Sequence, residues 1–164
     1  MIVKDAMVII HLAKITLLEK SCAYFKQVMM PEEVHREILA GKERGYEDAQ
    51  VVEELVRAKK LGVKKVQDET LLKRAREFNL QRGEAEAVAL YWQEKADFLA
   101  SDDDSLRRKS VLLNLKLIGT PAIILKLYKE HLIDKGKLMQ SLQELRKIGW
   151  FSSSVIDKVL LEAK

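Results

Sequence analysis

A chain of 164 residues, 48% hydrophobic and 33% charged, is long enough for one ordinary domain with a proper core and too short for two comfortable ones. Its 29 Lys+Arg against 25 Asp+Glu leave a net charge of +4, compatible with a polyanionic partner and equally with many unrelated soluble proteins. Cys22 stands alone and so excludes an internal disulfide, "MIVKDAMVII" lacks the basic start and long apolar core of a secretory leader, and no apolar run nears the ~20 residues of a membrane span; a cytoplasmic location without membrane contact is the expectation.

In chain order, short β-leaning runs stop at polar residues: "MIV" before Lys4 and Asp5, "VMM" before Pro31, "VKKV" before Gln67, "FLA" before Ser101 and "KLI" before Gly119. Between them the apolar positions recur at helical spacing, as in Ile9, Leu12 and Ala13, then Val52, Leu55 and Val56, then Ala87, Val88 and Tyr91. Pro31 and Pro121 both fall where a helix can begin. Strands alternating with longer helices predict an α/β fold, with a mostly parallel sheet of four or five strands whose C-terminal ends meet the following helix starts along one edge. After "KLI" the tail reads as helices throughout. Two amphipathic stripes, Leu138, Leu142 and Leu145 and then Ile156, Val159 and Leu160, flank a predicted turn from Gly149 to Ser154 in which Ser152 or Ser153 serves as N-cap.

Acidic residues collect at the predicted sheet edge. Asp5 ends the first strand run, Asp102, Asp103 and Asp104 follow the fourth, and Glu84 opens the helix "GEAEAVALYW", sharing a face with Val88 and Tyr91. Glu37 lies at the border of the buried face marked by Val34 and Ile38. An Asp at a helix start is an ordinary cap, yet capping needs one carboxylate per helix and does not account for Glu37 or for three aspartates in a row. Carboxylates crowded in one cleft disfavour joint ionisation unless something positive is bound, and a metal ion is the natural counter-charge. Asp104 reads as a solvated first-turn charge. His11, His35 and His131 show no ligand spacing and read as surface or helix-packing residues, so zinc is not expected.

The stretches "VKDAMVIIHLAKI", "MPEEVHREIL", "GEAEAVAL", "ADFLASDDDSLRR" and "LKLIGTPAIILKLYKEHLI", in this order and at these separations, resemble the PIN-domain family of metal-dependent ribonucleases, and most of all a prokaryotic branch close to the toxins of toxin-antitoxin pairs. The resemblance implies a three-layer α/β/α sandwich, with a core over about residues 1–135 and a C-terminal helical extension over about 136–164 of a single domain spanning 1–164. It also implies a site that cleaves single-stranded or structured RNA with Mg²⁺ or Mn²⁺. Carried over residue by residue, the family's catalytic acids fall on Asp5, Glu37, Glu84 and Asp103, and the metal falls to Asp5, Glu84, Asp102 and Asp103, with Asp102 and Asp103 competing for the fourth-strand position. One metal or two is left open.

Nucleic-acid contacts are expected from basic residues beside the acids: Arg36, Arg82, Arg107 and Arg108, with Lys109 following. The tail stripes, together with the face around Val52 and Val56, supply more apolar surface than a small sheet needs. A homodimer is therefore expected, and an antitoxin-type protein is a further candidate partner. The alternative to the enzyme is a non-catalytic binding module of the same fold that regulates RNA or a protein without cutting it.

Overall fold

A computed structural model describes residues 1–43, 47–148 and 151–164. Five parallel strands, β1 (Ile2–Lys4), β2 (Val28–Pro31), β3 (Gly62–Lys64), β4 (Phe98–Ala100) and β5 (Leu117–Ile118), form one sheet in the order β3-β2-β1-β4-β5. Among the described residues, ten helices connect and cover them: α1 (Ala6–Lys14), α2 (Leu18–Phe25), α3 (Glu32–Glu43), α4 (Glu47–Arg57), α5 (Glu69–Arg76), α6 (Arg82–Glu94), α7 (Asp104–Lys109), α8 (Thr120–Lys129), α9 (Lys135–Ile148) and α10 (Ser153–Glu162). The predicted parallel α/β architecture is what the chain adopts.

Side-chain alternation along the strands splits the core in two. Ile2, Val28, Met30, Ala100 and Ile118 face a cluster built from α1 to α4 and α8 to α10, whereas Val3, Leu99 and Val66 face α5, α6 and α7. Helices on both faces make the three layers. Successive strands build outward from β1 to β3, and the chain then returns across the second face through α5 and α6 to place β4 on the other side of β1. The strand order thus reverses between β1 and β4, where the helices that follow diverge to opposite faces and leave a crevice at the strand C-termini.

Two details depart from the sequence reading. Lys4, read as the polar stop after the first strand run, is instead the last residue of β1 and is fully buried. Its ammonium donates to the Ser21 hydroxyl and sits 5.5 Å from the Phe25 ring centroid, and burial pulls its pKa down to about 8. The run at 63–66 begins a residue earlier, at Gly62, and leaves the sheet after Lys64 because this edge strand pairs only with Met29 to Pro31 of β2.

The tail stripes are spent inside the chain. Leu138, Leu142, Leu145, Ile156 and Val159 join the same buried cluster as α1 and α8, and so do Val52 and Leu55 of α4. Ser152 is the cap of α10, its hydroxyl accepting from Val155 N–H at 3.4 Å, while the start of the predicted turn at Gly149 lies outside the described residues. Among the described residues no helix is long and apolar enough to cross a membrane.

Candidate active site

Three of the predicted acids converge on the crevice from the two strands that border it and the helix that roofs it. Asp5 leaves β1, its N–H donating to Ala100 O of β4 at 3.1 Å, so the ends of both strands are tied together at that point. One Asp5 oxygen caps α1 by accepting from Val8 N–H at 3.0 Å. Asp103 follows β4 and caps α7, accepting from Leu106 N–H at 2.7 Å. Glu84 stands in the first turn of α6, which packs on β1, β2 and β4, and its carboxylate accepts from Gln81 N–H at 3.2 Å. The capping role is real for all three.

Capping alone has the opposite electrostatic signature from the one found here. A carboxylate that accepts backbone N–H bonds at a helix start is normally held below its usual pKa. Asp5 instead rises to about 7, chiefly because it is buried, with the Asp102 and Glu84 charges adding to the shift against the Val8 and Ser101 hydrogen bonds. Glu84 also rises, through burial and then through the charge of Asp103, with which it shares a carboxyl–carboxyl hydrogen bond.

Glu37 completes the cluster from α3. The residue is exposed along its length, but its carboxylate end rests on Gly83: a Cβ placed there would lie 2.4 Å from Glu37 Oε1. Burial of that end, then the charges of Glu33, Glu84 and Glu86, push its pKa up. Glu84 is the hub, felt by Asp5 on one side and by Glu37 on the other.

Asp102 is placed differently from its neighbour. Oδ1 accepts from Thr120 N–H at 2.7 Å, while Oδ2 accepts from the Thr120 hydroxyl and meets His11 Nδ1 at 2.8 Å. Both oxygens are turned into the protein, and the residue is 7% exposed. Asp104 is exposed in the first turn of α7, as expected. Among the described residues no three carboxylate, imidazole or thiol groups stand as placed to hold one metal ion. The donor set nevertheless suits a hard divalent cation, since Asp5, Glu84, Asp103 and Glu37 offer only oxygen and gather acidic side chains in one crevice.

The basic residues divide. Arg36 and Arg82 are both engaged by Glu33, at 2.9 Å and 3.2 Å, so neither is without an acid partner. Arg107 and Arg108 are exposed on α7 directly after the acids. Glu33, His11, Thr120 and Gly83 were not singled out as site residues from the sequence. His11 carried the only usable signal, a polar residue on the α1 face otherwise made by Val8 and Leu12.

A protein-family model described as PIN domain matches residues 1–164, the whole chain. The chain belongs to the PIN-domain family. PIN domains as a superfamily are nucleases and typically use divalent metals, which agrees with an all-oxygen acidic crevice at the β1/β4 reversal. No curated protein and no solved structure matches the chain.

Proposed function

We propose that this PIN domain is an Mg²⁺- or Mn²⁺-dependent endoribonuclease, and that it acts as the toxin of a toxin-antitoxin pair. The observation that supports it most is the raised pKa of Asp5 and Glu84 at helix starts that should lower it: burial comes first and neighbouring acids add to it, a setting that a bound cation would relieve. Asp5, Glu84 and Asp103 would hold the ion and Glu37 would stand beside it. When bound, the metal supplies a water of lowered pKa and stabilises charge on the phosphate. Asp5, whose pKa burial raises to about 7, would have to be ionised to hold the cation, so binding there would be favoured as pH rises through that value. Arg107 and Arg108 meet the RNA backbone with salt-dependent, sequence-independent contacts, and Arg36 and Arg82 exchange Glu33 for phosphate as the strand enters.

Mn²⁺ at millimolar concentration is expected to raise the melting temperature and to release fragments from mixed single-stranded RNA, with EDTA reversing both. Metal-induced stabilisation without fragments would leave the non-catalytic binder as the reading, and neither effect would sink both the enzyme and its metal site.

A homodimer and an antitoxin-type protein belong to the same proposal. The tail stripes and Val52 no longer supply the surface for them, since they are buried within the chain. Among the described residues, Val111 and Leu112, 88% and 74% exposed after α7, are the most exposed large apolar residues and the adjacent pair best placed to meet a partner. Light scattering is expected to give twice the 18.8 kDa of the chain, and Val111→Ser/Leu112→Ser to return it to the monomer; a monomer for the unaltered chain at tens of micromolar would rule this out.

A further inference from the structure

We propose that His11 and Thr120 are positioning residues for the acidic site, acting through Asp102, which is a buried clamp and not a metal ligand. This inference rests on the metal-dependent reading above.

Asp102 ties three segments to one carboxylate. Thr120 reaches it from the first residue of α8 with its N–H at 2.7 Å and with its hydroxyl, and His11 reaches it from α1 with Nδ1 at 2.8 Å. Thr120 is wholly buried and His11 is 1% exposed. The Phe151 ring packs edge-on against the imidazole at a centroid distance of 5.3 Å, which fixes its plane. Gly119 closes the remaining side, since a Cβ there would lie 3.0 Å from Asp102 Oδ1 and 3.2 Å from an Arg107 guanidinium nitrogen.

The segments so joined are the ones that carry the proposed ligands. Asp5 caps α1, six residues before His11, and Asp103 is the neighbour of Asp102 itself. Adjacent residues leaving a strand point to opposite sides, so anchoring Asp102 inward presents Asp103 to the crevice. The clamp thereby settles which of the two competing aspartates faces the cation. Plain core packing does not require this arrangement: a buried carboxylate is unfavourable unless its oxygens are satisfied, and an apolar side chain would fill the same space without directional demands.

The test compares variants that remove a donor with variants that keep it. His11→Phe removes the Nδ1 donor at similar ring size, while Asn at position 11 offers an amide N–H in nearly the Nδ1 position. Thr120→Val removes the hydroxyl and Thr120→Ser keeps it. His11→Phe and Thr120→Val are expected to lower kcat for Mn²⁺-dependent RNA cleavage by about 10- to 100-fold, the usual cost of losing an outer-shell partner. KM for RNA should stay within about threefold, since neither group touches nucleic acid, and His11→Asn and Thr120→Ser should recover most of kcat. Near-UV circular dichroism checks that each variant is folded; if His11→Phe is not, the Thr120 pair carries the comparison. Donor-free variants that turn over like the unaltered chain, or donor-keeping variants that fall equally far, overturn the clamp and leave the metal-dependent reading standing. An unaltered chain that takes up no Mn²⁺ and cuts no RNA overturns both.

Discussion

Asp5→Asn is expected to abolish metal-dependent cleavage while making the metal-free protein more stable at pH 8. Asparagine is nearly as good an N-cap as aspartate, so the bond from Val8 N–H survives. What disappears is a buried charge. A carboxyl whose pKa in the fold, about 7, stands above its unfolded value near 3.8 holds its proton more tightly when folded. The stability it contributes is complete below about pH 4 and is lost as pH rises to about 7, because the unfolded chain ionises freely there and the native one does not. Over that window the loss is at most about 4 kcal/mol at 1.36 kcal/mol per pKa unit. The amide has no proton to lose, so denaturant titrations should show the variant gaining over the unaltered chain from pH 4 to pH 7 and holding the gain at pH 8. Cleavage should fall roughly 10³-fold, the equivalent of several kcal/mol of metal-derived stabilisation. Asp103→Asn should do the same to cleavage, and Asp104→Asn should do nothing. A variant that is destabilised at pH 8 and still cuts RNA would show that Asp5 is only a cap.

Much of the scaffold was legible because it follows from local pattern. "FLA" gives β4 at its observed residues, and the spacing of Glu84 with Val88 and Tyr91 puts its carboxylate on the inward side of α6. Local pattern fails where a distant partner changes what a residue type means. Lys4 reads as a strand terminator until Ser21 and Phe25 arrive to cover it. The apolar stripes of α9 and α10 read as surplus for a second copy, yet they are absorbed by the face of the sheet that α1 and α8 also cover.

The positions of these acids were legible for the same reason, since each marks a helix start or border, but their relations were not. Whether Asp102 or Asp103 faces the crevice depends on His11, 91 residues away, and Thr120, 18 residues away. Arg82 looks like a free phosphate contact from its neighbours in sequence, whereas Glu33, already paired with Arg36 one turn along α3, also holds it across the α3/α6 junction. Electrostatic sign is a property of the assembled crevice. Asp5 alone predicts a lowered pKa, and only burial with Glu84 and Asp102 nearby reverses it.

Gly83→Ala is expected to separate stability from activity at a single methyl group. Gly83 is the second residue of α6 and its φ lies outside the left-handed region, so alanine fits the backbone and should raise helix stability by about 0.5 kcal/mol. The added Cβ has one neighbour to displace: Glu37 Oε1, Cδ and Oε2 would lie 2.4, 3.0 and 3.1 Å from it. These atoms end a flexible, largely exposed side chain, so the glutamate swings outward at little cost to the fold. Freed from Gly83, its carboxyl regains water and its raised pKa falls back toward the ordinary range. If Glu37 serves the reaction, cleavage falls by roughly 10²-fold, the scale of a lost acid–base group, while the melting temperature holds or rises. Glu37→Gln should lose a similar amount, and the double variant should lose no more than either alone, because both remove the same carboxylate from the same place. Additive losses would mean that Gly83 acts through something other than Glu37, and a stabilised, fully active Gly83→Ala would take Glu37 out of the site.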